Sequence, residues 1–76
     1  MKFKEFMNMY DDWNGILKVN NNNLDTIVKG KTVMVMERLV KFNPFSKVQT
    51  YDDLFNMEVV SFGFYDGEFC VRVEWR

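Results

Sequence analysis

The clearest hydrophobic pattern lies near the C-terminus, where apolar and polar residues alternate on both sides of Asp66-Gly67. That dipeptide favours a two-residue type I′ turn, because both central residues of this turn need positive φ. The turn predicts a β-hairpin in which Tyr65 faces Glu68 and Val60 faces Val73. Strand alternation then directs one apolar set towards the core. The set is Val60, Phe62, Phe64, Phe69, Val71 and Val73.

A helical pattern opens the chain. Large apolar side chains recur at the i, i+3, i+4 and i+7 spacing between Phe3 and Trp13, which predicts an amphipathic helix over residues 3–13. Asn14 and Gly15 are expected to end this helix, with Gly15 as the left-handed cap residue.

The segment between these two elements predicts further strands. A short strand is expected at residues 16–19, a turn at the asparagines 20–23 and a partner strand at residues 25–29. Lys29-Gly30-Lys31 is interpreted as a turn or bulge. The β-branched start of residues 32–37 favours another strand there.

Residues 43–50 contain the single proline and are expected to form a loop. Thr50 is a suitable N-cap for a short helix over residues 51–55, since Asp52 and Asp53 then lie in its first turn, where the helix dipole favours negative charge. Residues 1–76 therefore predict one domain of the α+β class. An N-terminal amphipathic helix packs on a mostly antiparallel sheet of four or five strands that ends in the β-hairpin.

The aromatic content adds an expectation about assembly. Eight Phe, three Tyr and two Trp are more large rings than the core of a 76-residue domain encloses. Because monomers rarely expose large apolar patches, we expect a homo-oligomer, with a two-fold dimer favoured. The strand that leads to Trp75 is the predicted edge, and Trp75 is expected to be buried between the subunits.

Charge and composition exclude several classes of function. The formal net charge is -1 and no basic run is present, so direct nucleic-acid binding is not expected. The chain has no histidine and one cysteine, so the commonest general base is missing, and a reducing cytoplasm is expected. No apolar run approaches the length of a membrane span. We therefore expect a non-enzymatic protein without a cofactor, metal or membrane partner.

Acidic and aromatic residues provide the candidate binding surface. Tyr10-Asp11-Asp12 and Tyr51-Asp52-Asp53 repeat one tripeptide, and acids are unfavourable near the C-terminus of the predicted first helix. We interpret these acids as part of a contact surface, with aromatic anchors at the ends of elements. The candidates are Asp11, Asp12, Trp13, Tyr51, Asp52, Asp53, Tyr65 and Trp75. An alternative, anion-binding site would use Lys29, Lys31 and Arg72.

Two segments, "FKEFMNMYDDWNG" and "EVVSFGFYDGEFCVRV", give the chain its resemblance to small phage and prophage proteins of low-GC Gram-positive gut bacteria. These motifs shape the fold, so the resemblance implies no catalytic residue. It implies a protein that acts in the bacterial host cell by binding and blocking an immune component, as anti-CRISPR proteins do. The alternatives are a sponge that sequesters a cyclic-nucleotide signal at a subunit interface, or a self-assembling structural phage accessory protein.

Overall fold

The computed structural model describes residues 1–10 and 12–75. Over these residues the chain forms three short helices and four strands, which confirms the α+β class. The elements are α1 (Phe3–Met9), β1 (Ile16–Asn20), β2 (Thr26–Lys31), α2 (Thr32–Met36), α3 (Tyr51–Asn56), β3 (Glu58–Tyr65) and β4 (Glu68–Glu74).

The four strands form one mixed sheet in the order β2-β1-β4-β3. The two hairpin pairs, β1 with β2 and β3 with β4, are antiparallel, and β1 pairs with β4 in parallel. β4 is therefore a central strand, and the prediction that the strand before Trp75 forms the exposed edge is wrong. Sequence pattern shows local hairpins well, but the β1–β4 pairing joins segments that are about fifty residues apart and leaves no local signal.

The helices cover one face of this sheet and enclose the core with it. α1 begins where the Phe3 N–H donates to the Met57 carbonyl at 2.8 Å. Its buried side is the one that the helical spacing predicts. The buried apolar residues are Phe3, Phe6, Met7, Leu17, Val19, Ile27, Val28, Val35, Val48, Leu54, Met57, Val71 and Val73.

α1 is shorter than predicted, since it ends at Met9 and Tyr10 is extended with φ -91° and ψ 119°. Gly15 is not a left-handed cap, because the residues with positive φ in the described chain lie elsewhere. The Asp12 carboxylate instead accepts the Gly15 N–H at 3.1 Å. This local bond fixes a turn where the periodicity predicts further helix.

Two further predictions in the middle of the chain are wrong. Lys29-Gly30-Lys31 is not a turn but the end of β2, paired with β1. The segment that begins at Thr32 is the helix α2 and not a strand. Thr32 anchors it, since both its N–H and its hydroxyl donate to the Gly15 carbonyl, at 3.0 and 3.2 Å. Burial of Thr32 and Val35 then outweighs the strand preference of a β-branched segment.

The C-terminal hairpin confirms its predicted turn, with φ of 51° at Asp66 and 77° at Gly67. Tyr65 lies opposite Glu68 as predicted, but an irregularity near the start of β3 places Val59, not Val60, opposite Val73. Thr50 caps α3 as predicted by accepting the Asp53 N–H at 3.2 Å. Residues 43–50 contain no helix or strand, as expected.

The expected burial of Phe62 and Phe64 is wrong. Their exposed fractions are 62% and 66%, and Val60 is also exposed. Both rings lie on the helix-covered side of β3, but β3 is the sheet edge. The Phe6 ring of α1 reaches Phe62, at 5.4 Å between ring centroids. The seven-residue helix is too short to cover all of an eight-residue edge strand.

Replacement of Phe3 by Ala should lower the free energy of unfolding by about 3–5 kcal/mol, because it removes a fully buried ring that stacks on Phe6 and Phe55. Phe45→Ala is the matched control: Phe45 is 94% exposed, so its loss should change the free energy by less than about 0.5 kcal/mol. Urea denaturation at one fixed protein concentration measures both. If both changes lowered the free energy of unfolding equally, the assignment of Phe3 to the core would be wrong.

Candidate functional site

The acids and aromatics predicted as one contact surface are dispersed. Asp11 lies outside the described residues. Trp13 precedes β1 and Trp75 follows β4, so the parallel pairing of these strands places the two indoles at opposite ends of the sheet. Both are exposed. Asp12 holds Gly15, and its charge is a secondary cause, after burial, of a raised pKa at Tyr10.

Tyr51 has a structural role in the protein core. Its hydroxyl donates to the Val40 carbonyl at 2.6 Å and accepts the Val40 N–H at 3.0 Å. Its ring meets Phe42 edge-on, with 4.8 Å between centroids. A tyrosine hydroxyl is protonated at neutral pH, and burial raises the pKa of Tyr51 further, so the hydroxyl keeps donating to the carbonyl into more alkaline solution.

Asp52 and Asp53 occupy the first turn of α3, as predicted. Arg38 approaches Asp52 at 3.7 Å, but both side chains are largely exposed, so this ion pair adds little stability. The two acids and Tyr51 belong to the helix layer. Tyr65 lies at the end of β3 on the opposite side of the sheet, so the predicted set forms no single site.

The predicted anion-binding residues, in contrast, share one face of the sheet, with Lys29 and Lys31 on β2 and Arg72 two strands away on β4. The strand residues that alternate with the core positions form an open sheet face, which no helix of residues 1–10 and 12–75 covers. Lys18 of β1 lies directly opposite Lys29 of β2, and Arg72 of β4 lies beside Asn20. We call the four residues Lys18, Lys29, Lys31 and Arg72 the cationic face. Lys18 is the member that the sequence analysis missed.

The charges of the cationic face are only partly neutralised. Lys29 pairs with Glu68, with 2.7 Å between Nζ and Oε1. Among the described residues, Lys18, Lys31 and Arg72 make no ion pair and no side-chain hydrogen bond. Like charges directly opposite each other, as Lys18 and Lys29 are, destabilise a strand pair. An anion bound between these cations would relieve that repulsion.

An exposed aromatic ring lines the same groove as Arg72. Tyr65 is 64% exposed and leans over Gly63, where an added Cβ would lie 2.9 Å from the Tyr65 hydroxyl. Because Gly63 has no side chain, the Tyr65 ring can lie directly on the sheet at this position. Beside the ring is a groove of about 190 Å³. The side chains along it include Asn20, Ser61, Tyr65, Cys70 and Arg72.

A second exposed surface, which the sequence analysis missed, lies beside β3 on the helix side. We call its exposed members, Met1, Met9, Phe62 and Phe64, the phenylalanine surface. A groove of about 210 Å³ runs between Met1, Met9 and Phe62, over Phe6, Tyr10 and Phe69. The alternation of apolar and polar residues along β3 predicted that Phe62 and Phe64 lie in the core. The uncharged run from Val59 to Tyr65 does not reveal whether its strand is central or at an edge.

A third group surrounds the asparagine turn that joins β1 to β2. Leu24, Phe45 and Trp75 are 61%, 94% and 57% exposed. Two grooves, of about 200 and 470 Å³, run between this turn and the loop at residues 43–50. Hydrogen bonds order the loop: the Asn43 side chain, for example, donates to the Thr26 carbonyl at 2.9 Å. We call these three residues the Phe45 end.

Comparison with known proteins found no matching family model, no matching curated sequence and no matching solved structure. No helix within residues 1–10 and 12–75 is long and apolar enough to span a membrane. The same residues bring no three Asp, Glu or Cys side chains together in a group that could hold a metal ion.

Tyr51→Phe should lower the free energy of unfolding by about 1–3 kcal/mol, because it leaves the Val40 N–H and carbonyl without their partner. Tyr65→Phe is the control, since the Tyr65 hydroxyl makes no hydrogen bond among the described residues, and should change the value by less than about 0.5 kcal/mol. Chemical denaturation of both variants checks this. An unchanged Tyr51→Phe variant would show that this hydroxyl does not hold Val40.

Proposed function

We propose that this chain is a non-enzymatic protein that counteracts bacterial defence by sequestering a cyclic-nucleotide signal on the cationic face. One observation supports this function above the others: three cations that make no ion pair with the described residues 1–10 and 12–75, and a fourth cation, lie on one open sheet face of a chain whose net charge is -1. The resemblance to phage proteins supplies the biological setting.

Each residue of the face has a role in this proposal. Lys18, Lys29 and Lys31 attract the phosphate groups, and the Arg72 guanidinium can donate two parallel hydrogen bonds to phosphate oxygens. The exposed Tyr65 ring offers a flat apolar surface on which a base can stack. No bond of the ligand is made or broken, so the protein acts by lowering the free concentration of the signal.

Addition of cyclic mono- or dinucleotides should raise the melting temperature of the purified protein, because a ligand that binds the folded state stabilises it by mass action. Lys18→Ala and Lys31→Ala should each weaken the binding by about tenfold, as expected for a lost charged contact. Lys4→Ala removes the same charge from α1, on the helix side, and should leave the affinity unchanged. Isothermal titration calorimetry measures all three.

Two results would contradict the sponge. One is a melting temperature that no cyclic nucleotide changes at millimolar concentration. The other is a shift that persists unchanged in the Lys18→Ala and Lys31→Ala variants, since the ligand would then bind elsewhere.

Direct inhibition of a bacterial defence protein is the second candidate function. The observation that favours it is the Phe45 end, where a phenylalanine almost fully exposed on an ordered loop has the form of an interface anchor. Trp75, a predicted binding residue, lies there too. An aromatic anchor of this kind would insert into an apolar pocket of the target protein.

A plating assay separates the two candidates. The chain is expressed in a bacterial strain with an active cyclic-nucleotide defence system, and phage plating is compared between variants. Loss of protection of the phage with Lys18→Ala and Lys31→Ala, but not with Phe45→Ala, agrees with the sponge. The reverse pattern favours a protein target.

A further inference from the structure

β3 has an outer edge that the rest of the described chain covers only at its start. There the first residues run alongside it: the Val59 N–H donates to the Met1 carbonyl at 2.8 Å, and Lys2 forms an isolated bridge with Glu58. From Val60 to Tyr65 no described segment pairs with the edge. Natural edge strands are usually protected by charges, prolines or bulges. Residues 59–65 contain no charge and no proline.

Hairpin geometry identifies the backbone groups on this edge. In a hairpin with a two-residue turn, the residues that flank the turn form a hydrogen-bonded pair, here Tyr65 with Glu68. Hydrogen-bonded and non-hydrogen-bonded positions alternate along the strand. The N–H and C=O groups of Gly63 therefore point inward to β4, whereas those of Phe62 and Phe64 point outward.

We propose that a second copy of the chain pairs with this edge, β3 against β3 and antiparallel, about a two-fold axis at Gly63. In this register Phe62 lies opposite the partner's Phe64, and each such pair exchanges both of its backbone hydrogen bonds. The side chains of each pair lie on the same face of the sheet. Two exposed rings of β3 therefore cover each other as cross-strand aromatic pairs, which stabilise antiparallel sheets.

Length and charge fit the same register. The pairing uses residues 61–65 of each copy, which lie within the part of the edge left free by the first residues. Asp66 comes opposite the partner's Val60, next to the point where the partner's Met1 is bonded to the strand. The negative turn of each copy thus comes near Lys2 of the other, which lies beside Glu58 at the start of β3. This complementarity and the uncharged strand between the two ends favour a second copy as the occupant.

The pairing would also extend the proposed ligand site, a step that rests on the proposed function. It joins the open faces of both copies into one continuous surface. Tyr65 lies opposite the partner's Ser61 at the interface, and each Arg72 lies one strand away from it. A nucleotide base stacked on Tyr65 would then lie beside residues of both copies. The dimer itself does not depend on this ligand.

Light scattering tests the assembly without any ligand. The 9.2 kDa chain should have twice that mass at micromolar concentration. Phe64→Lys should convert the dimer to a monomer at the same concentration, because a charge then lies at the paired edge. Phe45→Lys places the same charge at a still more exposed ring, on the loop, and should leave the dimer intact. A monomer mass at every concentration, or a dimer unchanged by Phe64→Lys, would overturn the proposal.

A disulfide tests the register. Residues at a two-fold axis in a non-hydrogen-bonded position are separated by about 4.5 Å between Cα atoms, within the range that a disulfide spans. Gly63→Cys in a Cys70→Ser background should therefore form a covalent dimer under mild oxidation, seen on a non-reducing gel. Its new Cβ displaces only the exposed end of Tyr65. Lys47→Cys in the same background should stay uncrosslinked, and a dimer without the Gly63→Cys bond would rule out this register.

Discussion

The parallel pairing of β1 with β4 is the interaction on which the rest of the structure depends. Each hairpin alone has one partner per strand, and a two-stranded hairpin is marginally stable in water. When Leu17 lies beside Phe69 and Val19 beside Val71, the apolar sides of both hairpins become one surface that the helices can cover. The same pairing makes β4 central, places β3 at the edge and assembles the open face from three strands.

Sequence pattern predicted what local chemistry determines. The Asp66-Gly67 turn, the Thr50 cap and the buried side of α1 depend on neighbouring residues, and all three are confirmed. The start of residues 32–37 has a strand pattern, but its bonds to the segment before β1 make it helical. The strand order depends on contacts between distant residues. For that reason the burial of Phe62 and Phe64 was assigned wrongly although their register with β4 was correct.

In the candidate site, too, local pattern predicted some features, whereas others depend on contacts between distant residues. Lys29, Lys31 and Arg72 were predicted as an alternative anion-binding site, but their common face requires the β2-β1-β4 order that no local pattern contains. Lys18 has no distinguishing signal in the sequence, because an isolated lysine in a strand is usually a solvated residue. Lys18 becomes a candidate binding residue only through its position opposite Lys29 in the sheet. Tyr51 is the reverse case. A ring at the start of a helix is typical of an exposed interface anchor, but the Tyr51 hydroxyl is hydrogen-bonded to the Val40 carbonyl.

The two sides of the sheet separate two kinds of interaction. The rings of Phe62 and Phe64 lie on the helix side of β3, whereas Tyr65 and the cationic face lie on the other side. The proposed apolar contacts at the edge and the proposed phosphate contacts on the open face would therefore not compete for the same atoms. Composition alone does not reveal this arrangement. It gives the number of aromatic residues and the net charge, but not the side of the sheet on which each residue lies. A chain with a small core would in this way use its edge for the proposed assembly and its open face for the proposed charged ligand.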